Sequence, residues 1–240
     1  LAVPPDTEVE SVEAIEEGAL QAAREYGASL VGGDLSASRS GLVVAVSALG
    51  VVSGPPVLRS GAAPGDVLLV TGELGGSAAG LAVARAAGPR SPQEESLVAR
   101  HRRPRARVQE GMALGASGLV HAMIDVSDGV AGDAARLAEA SGVRVVVEAA
   151  ALPLAEAAVA AAQRLGASAV EWALSEGEDF ELLLTAVPEN VPRLKELLGQ
   201  MNCPLTVVGR CESGGGVEVL GCDIGRARGF DHFAGGEGAG

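Results

Sequence analysis

The chain has 240 residues and a formal net charge of −13; that is length enough for one large domain or two modest ones, and the wrong sign for general nucleic-acid binding, which needs a basic surface. Only 2% of residues are aromatic against 48% hydrophobic, so the core is expected to be Ala, Val and Leu, and 34 glycines suit an α/β protein with tight turns better than a helical bundle. No apolar run reaches the roughly 18–20 residues that span a bilayer, no leader pattern opens the chain, and Cys203, Cys211 and Cys222 lack metal-ligand spacing and read as reduced cytoplasmic thiols. An acidic chain can still bind polyphosphate when divalent cations stand between the two sets of negative charge.

In chain order, Pro4, Pro5, Asp6 and Thr7 followed by Glu10 predict a helix start, with Thr7 and Glu10 at capping-box spacing. Val9, Val12, Ile15, Ala19, Ala22 and Ala23 carry the helical period as far as Tyr26 and Gly27. A short strand over 28–34 and a long one over 42–52 follow, and Ser53, Gly54, Pro55 and Pro56 form the best linker. Then come a turn and buried strand (63–72), a glycine loop feeding a helix (73–88), a helical stretch broken at Pro104 (93–117) and a strand (119–125). The remainder alternates: helix near 130–141, strand 143–148, helix 154–165, strand 180–187, helix 190–200, strand 205–209 and a hairpin near 217–224. This alternation predicts an α/β (α+β layered) fold, with a disordered tail over 235–240.

Five segments bear on chemistry. MIDVSDG (123–129) ends a strand in Asp125, Ser127 and Asp128. Ser127 or Asp128 is suited to N-cap the helix from Val130, and the two carboxylates equally suit hard Mg²⁺, which keeps its other positions for water and phosphate. Gly32, Gly33 and Asp34 end another strand, either as a ligand approach with amides facing phosphate or as a plain tight turn. Ser175, Glu176, Gly177, Glu178 and Asp179 precede an apolar strand; such a charge run is usually a solvated face, although carboxylates packed there repel unless a cation joins them. RHRRPRAR (100–107) is the one basic cluster, either a small anion-binding patch or, more simply, the solvated face and break of a helix pair. ELGGSAAG (73–80) lacks the Gly-Lys-Ser/Thr ending of a Walker A loop.

Taken together, LVGGD (30–34), LRSGAAPGDVLLVTG (58–72), RHRRPRARV (100–108), MIDVSDG (123–129), WALSEGEDFELL (172–183) and GFDHF (229–233) resemble the thiamine-monophosphate kinase family, in family order and over nearly the whole chain. The resemblance implies a partial N-terminal α/β domain (1–53, the remainder of an ATP- and metal-binding domain) and a C-terminal α/β domain (54–234) of the aminoimidazole ribonucleotide synthetase-like fold. It implies transfer of the ATP γ-phosphate to thiamine monophosphate, giving thiamine diphosphate, with several Mg²⁺ ions. By the same resemblance Asp34, Asp125 and Asp128 are metal-binding, Gly33, Asp34, Arg59 and Ser127 contact ATP, and Glu178 and Phe230 lie on the thiamine side. It further implies a cytoplasmic homodimer formed through the N-terminal domain. The alternatives are another ATP-using enzyme of the superfamily, or a catalytically incomplete nucleotide-binding fragment, because the family's leading segment with its own metal-binding aspartates has no counterpart before Leu1. Two local departures are Leu35 and Ser36 where the family has threonines after the aspartate, and Glu176 where it has glycine. The acceptor oxygen of a phosphate is already anionic, so no general base is expected, and His101, His121 and His232 need no catalytic role.

Overall fold

A computed structural model describes residues 1–52 and 54–222 and divides the chain into two compact units, the first Leu1–Val52. Its helix α1 (Val9–Glu25) follows the expected period, but Glu8 is the N-cap and no side chain caps it. The Thr7–Glu10 capping box does not form; the Thr7 N–H instead donates to the Pro4 carbonyl at 3.1 Å. Strand β1 (Ala2–Val3) pairs in parallel with β2 (Ser36–Ala37).

The strands expected over 28–34 and 42–52 are not formed. A strand needs a partner for its N–H and C=O groups, and the second of these segments finds one only at Val43, which exchanges hydrogen bonds with Ala2 at 2.8 and 2.9 Å. No residue of this unit is buried, and Val31, Leu35, Val44, Val46 and Leu49 are exposed.

The second unit is built on six strands: β3 (Val67–Thr71), β4 (Ala122–Asp125), β5 (Arg144–Glu148), β6 (Leu182–Ala186), β7 (Leu205–Glu212) and β8 (Gly216–Leu220). Their spatial order is β4-β6-β3-β7-β5-β8. Every pairing is antiparallel except β5 with β8. Of the hairpin expected near 217–224, β8 supplies the first arm and residues 223–224 lie outside the described residues. β5 lies between β7 and β8, and the chain crosses the start of β5 over residues 213–215, so that Val217 and Val219 add to the same apolar cluster as Val145 and Val147.

The period of two along β3 sends Leu68 and Val70 to one face of the sheet and Leu69 to the other. The first face packs on α5 (Val130–Ser141) and α7 (Ala169–Ser175), the second on α4 (Val108–Ser117) and α8 (Val191–Gly199). A third cluster joins α2 (Gly76–Arg85), α3 (Pro92–Arg102) and α6 (Glu156–Leu165) through alanines gathered about Trp172. This is the aromatic-poor core that composition demands. Each fully buried leucine, such as Leu69, Leu184 or Leu198, contributes roughly 1.5–3 kcal/mol.

All three cysteines are free; Cys203 and Cys211 are buried and Cys222 is partly exposed. Burial, helped by the Asp66 carboxylate, pushes the Cys211 thiol up to about 12, and burial also raises Cys203. At pH 8 only about 1 in 10,000 Cys211 side chains would be thiolate. Iodoacetamide at that pH should label Cys222 in the native protein and all three cysteines in urea, counted by intact mass. Among the described residues, no helix is long and apolar enough to cross a membrane.

Candidate active site

β4 is an edge strand, and the chain leaves it at Asp125, whose carboxylate is exposed. Beyond it the backbone keeps company with the segment that leads into β6. The Val126 N–H donates to the Glu181 carbonyl at 2.7 Å, the Phe180 N–H to the Val126 carbonyl at 2.9 Å, and the Glu178 N–H to the Ser127 carbonyl at 2.9 Å. Two acidic turns, far apart in sequence, are thus fastened side by side.

The MIDVSDG turn is held from inside the following helix. Gly129 is the N-cap of α5 and no side chain caps it, so neither Ser127 nor Asp128 plays the capping part. Asp133 in the first turn of α5 does the converse. Its Oδ2 accepts the Ser127 and Asp128 N–H groups at 2.9 and 3.0 Å, and its Oδ1 accepts from Arg136 at 2.7 Å. Arg136 also pairs with the Asp128 carboxylate. Asp133 is fully buried. Burial pushes its carboxyl up, opposed by the Asp128 N–H, Arg136 and the Ser127 N–H. Asp133 and Arg136 were not among the residues picked out by sequence; their signal was an Asp–Arg pair at i,i+3 opening the helix after the motif.

The second turn takes unusual backbone: Gly177, Glu178 and Phe180 have φ of 64°, 60° and 51°. For the two non-glycine residues this costs about 1–2 kcal/mol each. A Cβ on Gly177 would lie 2.1 Å from the Ser127 carbonyl oxygen, so the turns meet there only because residue 177 is glycine. Glu176, the departure from the family's double glycine, has a φ of −107° that any residue adopts, and the turn is formed with it in place.

Of the run's carboxylates Glu176 and Glu178 are exposed, as a solvated face would be, but Asp179 and the following Glu181 are not. Asp179 is 5% exposed and Glu181 3%. Asp179 accepts the Gly75 and Ser77 N–H groups at 2.6 and 3.0 Å at the start of α2, with Arg100 at 3.4 Å. Burial pushes its carboxyl up, against the pull of Arg100 and those two amides. Glu181 takes both arms of Arg107 at 2.7 and 2.8 Å and the Thr71 hydroxyl at 2.7 Å. It lies where a Cβ on Gly72 would come within 2.1 Å of its Oε1. The bond to Glu181 holds the Arg107 guanidinium above its usual value despite burial.

RHRRPRAR is accordingly not a solvated face throughout. The helix break at Pro104 is present, between α3 and α4, but Arg100 and Arg107 turn inward to the two buried carboxylates while Arg102, Arg103 and Arg105 are exposed. The four arginines 100, 103, 105 and 107 line a cavity of about 590 Å³ with Asp179 and Glu181. Glu178 itself is 57% exposed, with its carboxylate 3.5 Å from His101, whose Nδ1 is 2.9 Å from the Ser77 hydroxyl oxygen.

The remaining predicted residues are placed as follows. Arg59 is exposed, on a segment whose neighbour Leu58 accepts the Met123 N–H at 2.9 Å, along the outer edge of β4. Gly33 and Asp34 belong to the first unit, exposed, beside a cavity of about 740 Å³ with Val12 and Ile15. Phe230, the GFDHF segment and the tail 235–240 lie outside the described residues. Among the described residues no three His, Cys, Asp or Glu side chains gather as a metal cluster. The donor set still fits Mg²⁺, which is commonly held by one or two carboxylates together with substrate phosphates rather than by an all-protein cage.

Comparison with known proteins gives these features a family. Residues 63–221 match the family described as AIR synthase related protein, C-terminal domain, and residues 1–52 match its N-terminal domain. Thiamine-monophosphate kinase of Rhodopirellula baltica is 37% identical over 210 residues, covering 88% of this chain and 60% of the relative. The Salmonella typhimurium enzyme of that name is 32% identical, covering 96% of this chain and 71% of the relative. A solved structure, AaThiL complexed with AMPPCP and TMP, superposes with a TM-score of 0.79 at 31% identity, over 97% of this chain and 71% of that one. The chain therefore spans about 60–70% of the length of these relatives. With its two matched domains and this level of identity to full enzymes, the chain belongs to the thiamine-monophosphate kinase family of AIR synthase related proteins.

Proposed function

We propose that the protein transfers the γ-phosphate of ATP to thiamine monophosphate, giving thiamine diphosphate. The observation that carries this reading is the fastening of the MIDVSDG turn to the Glu178 turn, through the Glu178 N–H on the Ser127 carbonyl at 2.9 Å. On this reading the element assigned to the nucleotide and the one assigned to the substrate are neighbours, which supports transfer between two bound phosphates. The names of the relatives and the AMPPCP and TMP of the similar solved structure supply the substrates.

The difficulty in this reaction is charge. Two phosphate charges at 4 Å repel by about 4 kcal/mol at an effective dielectric of about 20, so neutralisation and in-line placement are the main tasks. Mg²⁺ would supply that neutralisation; Asp125 and Asp128 are assigned to hold it, and Asp34 is assigned a metal-binding role of its own within the first unit. The chain's own residues do the positioning. Asp133 fixes the backbone of Ser127 and Asp128, Arg136 orients the Asp128 carboxylate, and Arg59 offers a guanidinium to the nucleotide phosphates. Glu178 and Phe230 are assigned to the thiamine side, and no general base is needed. We assign residues 1–53 to the ATP- and metal-binding domain and 54–234 to the C-terminal domain, in a cytoplasmic homodimer. The exposed Val31, Leu35, Val44 and Val46 of the first unit are of the kind that pairing between subunits covers.

The test is direct. The full-length native protein, given ATP, Mg²⁺ and thiamine monophosphate, should form thiamine diphosphate and ADP, resolved by ion-exchange chromatography, and EDTA should stop it. Turnover of formylglycinamidine ribonucleotide instead would move the protein to another branch of the superfamily.

A further inference from the structure

We propose that Asp179 is a positioning residue for the substrate-side turn, resting on the functional reading above: its carboxylate clamps residues 177–180 to the start of α2 and so presents Glu178 to the substrate. α2 opens at Gly76 with Gly75 as its N-cap, and no side chain of its own caps it. The acceptor comes from a segment more than 100 residues away: Asp179 Oδ2 takes the Gly75 N–H and Oδ1 the Ser77 N–H. A carboxylate is favoured there by the unpaired amides and the positive end of the helix, and Arg100 reaches the same Oδ1.

The geometry of the neighbours makes this more than a helix cap. Going along the turn, Glu178 bonds by its N–H to Ser127, Asp179 by its side chain to α2, and Phe180 by its N–H to Val126. Successive residues are thus tied in opposite directions, one to the MIDVSDG turn and the next to α2. That alternation is what a backbone with Glu178 and Phe180 both at positive φ needs in order to persist. Held this way, the Glu178 side chain projects outward beside His101. Without the clamp, Glu178 and Phe180 relax toward ordinary φ and the Glu178 carboxylate leaves its place.

The experiment compares wild type, Asp179→Asn, Arg100→Gln and Glu178→Gln in the full-length protein, by hydrogen exchange and steady-state kinetics. Asp179→Asn should speed exchange over 176–181 at least tenfold while β3 and β6 keep their protection. It should raise KM for thiamine monophosphate at least tenfold and leave kcat and the KM for ATP within about twofold. Arg100→Gln, which keeps the carboxylate, should move both readouts the same way by less, and covers the case in which Asp179→Asn does not fold. Unchanged exchange over 176–181 overturns the clamp. Faster exchange with an unchanged KM, while Glu178→Gln raises it, overturns the link from clamp to substrate. If Glu178→Gln also leaves KM unchanged, the substrate-side role of Glu178 fails, and the positioning role with it.

Discussion

Replacing Asp128 by asparagine should lower kcat about 100- to 1000-fold, the scale of losing one preorganised electrostatic group in a phosphoryl-transfer site, while the melting temperature moves by no more than about 4 °C. The two expectations come from the same geometry. Asp128 pairs with Arg136, but the side chains are 24% and 39% exposed, and an ion pair of that kind is worth about 0–1 kcal/mol. For a chain of this size 1 kcal/mol corresponds to roughly 2–4 °C. The backbone of the turn does not depend on the Asp128 carboxylate, because Asp133 holds it by the N–H groups. Steady-state rates at millimolar Mg²⁺ and a calorimetric melt on the same preparation check both halves. An unaltered rate would remove Asp128 from the phosphate-binding machinery.

Arg107→Leu should be the most damaging substitution for stability, at about 3–5 kcal/mol, the usual result of stripping one partner from a buried ion pair. Glu181 would be left with the Thr71 hydroxyl at 2.7 Å and a more distant Arg100 at 3.7 Å. Glu110, 2% exposed, would lose its 3.0 Å contact with the same guanidinium. Combining Arg107→Leu with Glu181→Gln should recover part of the loss, because the orphaned charge is then gone. Urea denaturation of the two single variants and the double variant gives the coupling energy. A cost below about 1 kcal/mol for Arg107→Leu would mean that the pair is effectively solvated.

Much of this arrangement was legible before the structure. The 3.6-residue period of α1 and the alternation from β3 to α8 placed most of the second unit's elements within a few residues, since local hydrophobic spacing decides them. MIDVSDG was correctly seen to end a strand. What could not be read was long-range. The buried carboxylates that draw Arg100 and Arg107 inward, Asp179 and Glu181, are more than 70 residues away, where no local pattern points to them. The expected strands over 28–34 and 42–52 had the composition of strands, yet a ladder depends on which chain lies alongside. The cap after MIDVSDG was read as Ser127 or Asp128 because they precede the helix, whereas Gly129 is the N-cap and Asp133 within the helix holds their N–H groups instead.

Because Gly177 leaves no gap against Ser127, the MIDVSDG turn and the Glu178 turn bear directly on one another. Thermodynamic reciprocity then applies to whatever occupies them. If a cation seated at the aspartates strengthens capture of the second ligand, that ligand must retain the cation more firmly by an identical factor, and order of addition will not alter the final affinities.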